Sequence, residues 1–185
     1  MKVFPGSEGP MADWPEVAEV PGAGAALTDL GRTHRIALLT SAGESTEARV
    51  RQALGRVGLD RHFAPGTIVL ARDIGLPKSD PAFYRGAVAK LGFRPEEAVM
   101  IGDNYENDVV AAKKAGLKAI WFSPAAARQV PQGGQRAAPG RSETAPGDAH
   151  DAVLTSLRDL PGLVRSLRRS GARARPSGCL PRPRR

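Results

Sequence analysis

Four short runs of apolar residues, spaced along a chain of 185 residues, constrain the fold of this protein more than any other feature. The runs are 35–40, 67–71, 98–101 and 118–122. Each run has the length of a strand, and its apolar residues follow one another instead of alternating with polar ones, which is typical of strands buried on both faces. Helical patterns separate the runs. Because strands that alternate with helices build parallel sheets with helices on both faces, we predict an α/β fold with three layers.

The segments between the runs carry the start and stop signals of helices. After the first run, Ser45 and Thr46 are N-cap candidates for a helix that ends near Gly58. After the second run, Asp80 precedes Pro81, an order typical of an N-cap and the first helical position. Further helices are predicted over 25–30, 109–115 and 160–167, and a last edge strand over 151–155.

Composition divides the chain into a core with regular apolar patterns and segments that lack such patterns. Residues 1–20 are rich in proline and glycine, which predicts an irregular N-terminal extension. The core runs over 21–168, and within it 124–149 is a proline- and glycine-rich stretch that we predict to be a mobile loop. Residues 169–185 have no apolar period, so we predict a disordered basic tail there.

The net charge of +8 belongs to the end of the chain. Eight arginines and no acidic residue lie between 164 and 185, so the preceding residues carry equal numbers of basic and acidic side chains. Basic segments that bind single-stranded nucleic acid interleave their charges with aromatic side chains for stacking, and this segment has no aromatic residue. We therefore expect a solvated extension and neither a nucleic-acid nor a membrane partner.

Cysteine content and hydropathy exclude further classes of protein. Cys179 is the only cysteine, so the chain cannot form an intramolecular disulfide or a Cys-x-x-Cys metal site. Such cysteine usage is typical of a reducing compartment. No apolar run approaches the roughly 18 residues that a membrane span requires. These features predict a cytoplasmic protein.

Polar residues follow three of the four predicted strands, at the edge where open parallel sheets bind ligands. Thr40 and Ser41 follow the first strand, Lys78 lies in the loop after the second, and Asp103 and Asp108 follow the third. Hydroxyl and backbone N–H groups suit phosphate oxygens, a lysine ammonium neutralises a phosphoryl group, and carboxylates are ligands that Mg²⁺ prefers. Turn residues, a solvated loop lysine and helix caps would explain the same residues without a ligand. The residues alone leave both interpretations open.

In their order and spacing these groups resemble motifs two, three and four of the haloacid dehalogenase-like (HAD) hydrolases. The resemblance rests on Thr40-Ser41 after an apolar strand, Lys78 before Asp80-Pro81-Ala82-Phe83, and Gly102-Asp103 followed by Asp108, Ala111-Ala112 and Ala115-Gly116. It covers residues 21–122, and 150–168 is similar to the last strand and helix of that family. The resemblance implies a Rossmann-like core with a parallel sheet.

The resemblance also implies a role for each of these residues. Thr40 and Ser41 would bind the transferring phosphoryl group, Lys78 would hold nucleophile and phosphate together, and Asp103 and Asp108 would hold Mg²⁺. The implied activity is that of a Mg²⁺-dependent phosphatase, which acts on a small phosphorylated metabolite through an aspartyl-phosphate.

One family motif is absent from the chain. The first motif is a central strand that ends in Asp-x-Asp and supplies the nucleophile of HAD hydrolases, and it should precede Thr40. The sequence contains no Asp-x-Asp, and Asp13, the only aspartate before the first predicted helix, is followed by Trp14 and Pro15. The cap domain that many relatives insert after this motif is missing as well. The resemblance therefore implies an incomplete sheet, without its central first strand, and a chain that is inactive as it stands.

Two functions are compatible with this pattern. In the first, the chain is the C-terminal part of a HAD phosphatase whose start is cut or mis-assigned, and the intact protein is the enzyme. In the second, the chain is a non-catalytic HAD-like protein that acts as a binding or regulatory module.

Overall fold

A computed structural model describes residues 9–41, 43, 45–124 and 149–172 of the chain. The strands in these ranges are β1 (Leu38–Thr40), β2 (Ile68–Leu70), β3 (Val99–Gly102), β4 (Lys118–Phe122) and β5 (Ala152–Leu154). The helices are α1 (Ala23–Leu30), α2 (Glu47–Gly55), α3 (Ala71–Ile74), α4 (Pro81–Lys90), α5 (Ala111–Lys114) and α6 (Leu160–Ala172). A π-helical segment, Tyr105–Val110, leads into α5, and 3-10 turns lie at Met11–Asp13, Asp60–His62, Pro95–Glu97 and Leu157–Asp159. The alternation of strands and helices confirms the predicted α/β class.

The strand pairs of the described residues are all parallel, but they form two sheets. In the first sheet β1 pairs with β2, and Leu39 lies opposite Val69. In the second sheet β4 lies between β3 and β5, so that Ile120 is opposite both Ile101 and Ala152. Within the described ranges no strand joins the two sheets. We call the separation between β1 and β3 the sheet break.

Shared helix layers hold the two sheets side by side. Leu39 of β1, Val69 of β2 and Met100 of β3 belong to one apolar cluster, which α4 and α5 cover. On the opposite face α1 and α6 cover a second cluster around Ile120. Ile36, just before β1, contacts this second cluster and also the apolar residues around β2. The resulting three layers agree with the prediction, and the contacts of Ile36 place β1 on the side of the first sheet that is nearer the second.

The strands at the sheet break are more exposed than their neighbours. All three residues of β2 are buried, whereas all three of β1 are half-buried. In β3, Val99 and Ile101 are half-buried, while Ile120 on the adjacent strand is fully buried. Strands at the centre of a parallel sheet are normally the most buried, so the break leaves apolar strand residues without a neighbour.

The helix starts follow the predicted capping chemistry. Asp80 caps α4, because its carboxylate accepts a hydrogen bond from the Ala82 N–H at 2.8 Å. Thr46 caps α2, and its hydroxyl oxygen accepts from the Arg49 N–H at 3.4 Å. The other candidate, Ser45, is buried and does not cap the helix. Local sequence therefore fixes where these two helices begin.

Two segments are more regular than the sequence predicts. The helix predicted over 109–115 begins earlier, because Tyr105–Val110 is already π-helical. The loop predicted after the second strand begins with α3, a single helical turn that ends at Gly75 in the left-handed conformation. Both segments lie directly after a strand, so tertiary contacts at the sheet edge shape them.

The predicted N-terminal extension, 1–20, contains an ordered turn. Ala12 in this turn is buried, and the Arg56 guanidinium donates hydrogen bonds to the carbonyl oxygens of Ala12, Trp14 and Pro15. One arginine on the chain beyond α2 therefore attaches this segment to the core.

Two predicted segments fall largely outside the described residues. Of the proline- and glycine-rich stretch 124–149, the structure describes only the first and last residue. Of the basic tail 169–185, it describes only the backbone of the residues that continue α6 to Ala172. Among the described helices, none has the length and apolar character that a bilayer crossing requires.

Candidate active site

Two of the predicted site residues meet in a buried ion pair. Lys78 lies in the loop between α3 and α4, and Asp108 lies in the π-helical segment after β3. The Lys78 Nζ is 2.5 Å from Asp108 Oδ1, and the two side chains are only 14% and 6% exposed. Removal of two charges from water is costly unless each is paired, so this contact stabilises both groups where they are. The carboxyl ends of β2 and β3 thus converge on one point.

Two further groups orient the Asp108 carboxylate. The backbone N–H of Asn104 donates to Asp108 Oδ2 at 3.1 Å. The Tyr84 hydroxyl on α4 lies 3.5 Å from Asp108 Oδ1 and donates to the carbonyl oxygen of Asn107 at 2.5 Å. A carboxylate has about four acceptor positions, so the two close donors, Asn104 and Lys78, leave about two for the Tyr84 hydroxyl and a further ligand.

Gly102 is the residue that lets Asp108 approach the end of β3. A Cβ atom at this position would overlap the Asp108 side chain, including its carboxylate carbon. The glycine is therefore required by close approach. Its place before Asp103 in the sequence reflects a steric demand of the site.

The Tyr84 hydroxyl remains a hydrogen-bond donor at neutral pH. Burial raises the pKa of Tyr84 above its ordinary value, and the negative charge of Asp108 raises it further. The hydroxyl therefore keeps its one proton, which it donates to the Asn107 carbonyl oxygen, while its own oxygen stays uncharged beside Asp108. In the sequence Tyr84 looks like a core residue on the apolar face of α4, and only its polar atom distinguishes it from the neighbouring Phe83.

Asp103 occupies the exposed turn after β3. The Trp121 indole N–H at the end of β4 donates to the Asp103 carbonyl oxygen at 3.2 Å. Trp121 in turn packs edge-to-face on Tyr105, with ring centroids 5.2 Å apart. These aromatic residues hold the backbone of the turn while the Asp103 carboxylate faces solvent. Neither Trp121 nor Tyr105 stands out in the sequence as a site residue.

Thr40 and Ser41 lie at the carboxyl end of β1, on the other side of the sheet break. Thr40 is half-buried and Ser41 is exposed. Ser41 and Gly43 line one side of a cavity of about 540 Å³, whose other side comprises 70–72 and 75–77. No hydrogen bond or ion pair among the described residues joins Thr40 or Ser41 to Lys78 or Asp108. The structure therefore brings Lys78 and Asp108 into contact and leaves the hydroxyl groups at a separate point of the same edge.

The donor set fits a hard cation in part. Asp103 and Asp108 offer carboxylate oxygens, and Mg²⁺ is commonly held by one or two carboxylates together with phosphate and water. Across the described ranges, no group of three or more His, Cys, Asp or Glu side chains could hold a metal ion. The described residues are thus too few for a metal site made of protein alone, and a Mg²⁺ site here would need phosphate and water to complete it.

Asp13 has a structural partner elsewhere. Its carboxylate pairs with the Arg49 guanidinium on α2, next to the 3-10 turn of the N-terminal extension. The described residues before it, 9–12, form no strand, so Asp13 does not lie at the end of a described strand.

Comparisons with known proteins agree on one family. A family model described as haloacid dehalogenase-like hydrolase matches residues 8–122. A phosphoserine phosphatase of Thermus thermophilus is 37% identical over 86 residues, which cover 46% of this chain and 32% of that protein. The pyrophosphatase PpaX of Bacillus velezensis is 44% identical over 69 residues, which cover 37% of this chain and 31% of that protein. The chain thus spans 31–32% of the length of these two relatives.

A solved structure extends the similarity to the fold. The 2-haloacid dehalogenase of Pseudomonas syringae pv. Tomato matches with a TM-score of 0.63 and 25% sequence identity. The match covers 85% of this chain and 57% of that chain. Most of the described core therefore has a counterpart in a solved enzyme of this type.

Proposed function

The chain belongs to the haloacid dehalogenase-like hydrolases, and from that premise we propose that it is the core of a Mg²⁺-dependent phosphatase acting on a small phosphorylated metabolite. Two of its relatives are named for the hydrolysis of phosphate compounds, a phosphoserine phosphatase and a pyrophosphatase. The observation that carries the proposal is the buried contact between Lys78 and Asp108 at the carboxyl edge of the sheet. The chain has a single cysteine, which suits the reducing cytoplasm, and we propose that the protein acts there.

Each residue of the candidate site has a role in this proposal. Thr40 and Ser41 bind oxygens of the phosphoryl group with hydroxyl and N–H groups, and Lys78 neutralises its negative charge. Asp103 and Asp108 hold Mg²⁺, which offsets charge on the transferring group when it is bound. Lys78 already contacts a ligand carboxylate, so it lies where it can bridge the phosphoryl group and the cation site.

The proposed reaction proceeds through an aspartyl-phosphate in the intact protein, and this chain does not contain the nucleophile. A carboxylate oxygen bonds to phosphorus while the bond from phosphorus to the ester oxygen breaks, and that oxygen takes up a proton. Water then cleaves the acyl phosphate, which releases inorganic phosphate and restores the carboxylate. None of the 185 residues forms an Asp-x-Asp that could supply these carboxylates.

The sheet break supports a nucleophile that enters on an additional strand. β1 and β3 each pair on one side only within the described ranges, and all of β1 and most of β3 are half-buried. A parallel strand between them would pair with both, and its carboxyl end would emerge between Thr40 and Asp103. An aspartate there would lie between the phosphate-binding residues and the cation site.

Binding to the full chain tests the site without requiring turnover. Calorimetric titration of the full chain with inorganic phosphate, in the presence and absence of Mg²⁺, is expected to show phosphate binding that requires Mg²⁺. Asp103→Asn should weaken Mg²⁺ binding about tenfold, since a ligand charge is lost, while Glu106→Gln removes another exposed carboxylate nearby and should leave binding unchanged. Equal effects of both substitutions, or no Mg²⁺-dependent binding by the unsubstituted chain, would contradict the proposed site.

The alternative is a non-catalytic binding or regulatory module, which the absence of Asp-x-Asp favours. The coding frame upstream of Met1 separates the two functions. For the phosphatase we expect an in-frame apolar strand that ends in Asp-x-Asp. A frame without such a strand, together with a cooperatively folded chain of 185 residues, would favour the module.

A further inference from the structure

The hydroxyl group of Tyr84 is a polar atom in the most buried part of the core. Tyr84 is 0% exposed and packs edge-to-face on Phe83, with ring centroids 5.1 Å apart. A phenylalanine ring would fill the same space without placing a hydroxyl in an apolar cluster. A buried hydroxyl costs free energy unless it forms hydrogen bonds, so its partners account for its presence there.

Those partners are the backbone and the carboxylate of the π-helical segment. The Ala111 N–H donates to the carbonyl oxygen of Glu106, five residues back, instead of to Asn107 as it would in an α-helix. The Asn107 carbonyl thereby loses its α-helical donor. The Tyr84 hydroxyl donates to that carbonyl at 2.5 Å and lies 3.5 Å from Asp108 Oδ1.

We propose that Tyr84 is a positioning residue that holds the π-helical turn of 105–110 and thereby aims the Asp108 carboxylate at the cation site. Without the hydroxyl, the shift to a conventional α-helical hydrogen bond would rotate Asp108 relative to Lys78 and Asn104. The part of this inference that concerns the cation rests on the proposed function. The part that concerns the orientation of Asp108 stands on the contacts alone.

The test compares the full chain with Tyr84→Phe and with a matched control. Thr67→Val is the control, because Thr67 is also fully buried and its hydroxyl donates to a backbone carbonyl, that of Ala64, at 2.8 Å. Calorimetric titration with Mg²⁺ should give a dissociation constant about tenfold higher for Tyr84→Phe and an unchanged one for Thr67→Val. Denaturant unfolding of all three proteins establishes that each is folded at the titration temperature.

A second measurement reads the orientation of Asp108 in the absence of Mg²⁺. The Asn104 N–H donates to Asp108 Oδ2, so its ¹H–¹⁵N resonance reports the position of that oxygen. We expect this resonance to shift in Tyr84→Phe and to stay in place in Thr67→Val. Unchanged Asn104 resonance and unchanged Mg²⁺ affinity in Tyr84→Phe would overturn the inference, as would equal losses in both variants.

Failure of the proposed function would look different. If the unsubstituted chain binds no Mg²⁺, the cation site is refuted, and the Asn104 resonance alone decides the role of Tyr84.

If Tyr84→Phe does not fold, the unsubstituted chain labelled with 3-fluorotyrosine replaces it. The chain has two tyrosines, and a Tyr105→Phe variant shows which of the two ¹⁹F resonances belongs to Tyr84. Mg²⁺ should then shift the ¹⁹F resonance of Tyr84, and an unchanged resonance in a chain that binds Mg²⁺ would overturn the inference.

Discussion

Asp108 is the residue on which the candidate site depends, because it is buried, charged and in contact with groups from three parts of the chain. Lys78 neutralises it, Asn104 and Tyr84 orient it, and Gly102 leaves space for it. The Lys78, Asn104 and Tyr84 atoms lie 2.5, 3.1 and 3.5 Å from the carboxylate oxygens. Substitutions at this point should therefore affect stability and ligand binding together.

Lys78→Met is expected to lower the free energy of unfolding by about 3–5 kcal/mol, because it leaves the Asp108 carboxylate buried without its cation. Denaturant titration of the full chain measures the change. Arg165→Met provides a control, since it removes an exposed ion pair with Asp29 at 2.9 Å and should cost less than about 1 kcal/mol. Similar losses in the two variants would show that the pair of Lys78 and Asp108 is not buried as described.

Gly102→Ala is expected to lower the free energy of unfolding by about 1–3 kcal/mol, because the added methyl group overlaps Asp108. Gly162→Ala, at a position in α6 with open space around it, should instead leave stability unchanged or raise it by up to about 1 kcal/mol. Thermal or denaturant unfolding distinguishes the two. A tolerated alanine at position 102 would contradict the close approach.

At the scale of elements, helix α4 positions the two segments that carry Lys78 and Asp108. Asp80 caps α4 and so fixes the end of the loop that carries Lys78, while Tyr84 one turn later contacts the π-helical segment. The start of α4 and the site are therefore coupled. Loss of the cap should loosen the Lys78 loop as well as the helix.

Asp80→Ala is expected to lower the free energy of unfolding by about 1 kcal/mol, because the Ala82 N–H loses its acceptor at the start of α4. Thr46→Ala should cost less, since the hydrogen bond that Thr46 accepts from the Arg49 N–H is longer, at 3.4 Å. Denaturant unfolding of both variants measures the difference. A larger loss for Thr46→Ala would contradict the capping geometry.

The elements differ in how far sequence alone could locate them. The strands, the start of α4 and the expectation that Lys78 and Asp108 lie at the carboxyl edge of the sheet were predicted from apolar runs, capping residues and strand ends, all of which are local patterns. The π-helical segment and the role of Tyr84 did not, because they depend on how α4 packs against the end of β3. A tyrosine on the apolar face of a helix has the same pattern as a core phenylalanine, and its hydrogen-bond partner lies more than twenty residues away.

At the scale of the whole molecule, the sheet break is the feature that separates this chain from a complete parallel sheet. The Leu38 N–H of β1 donates to the carbonyl oxygen of Thr67, just before β2. The Lys118 N–H of β4 donates to the carbonyl oxygen of Ala98, just before β3. Within the described ranges β1 and β3 therefore each pair along one side of the backbone. In a parallel ladder the intervening residues point their N–H groups to the other side. Leu39 and Ile101 therefore direct their N–H groups into the break.

Amide hydrogen exchange of the full chain should reflect this arrangement. The N–H groups of Leu39 and Ile101 are expected to exchange faster than those of Thr40 and Ile120, which face paired strands. Exchange measured by NMR in deuterated water resolves the individual residues. Equal protection of both sets would mean that a strand already occupies the break.

The most direct test of the proposed phosphatase core is hydrolysis of p-nitrophenyl phosphate by two proteins, the chain of 185 residues and the same chain preceded by the segment encoded upstream of Met1. We predict no turnover by the chain alone. The longer protein should turn over substrate only with Mg²⁺, and Asp103→Asn in it should abolish turnover while Glu106→Gln does not. Turnover by the chain alone, or a longer protein that is folded, binds Mg²⁺ and is inert, would contradict this account.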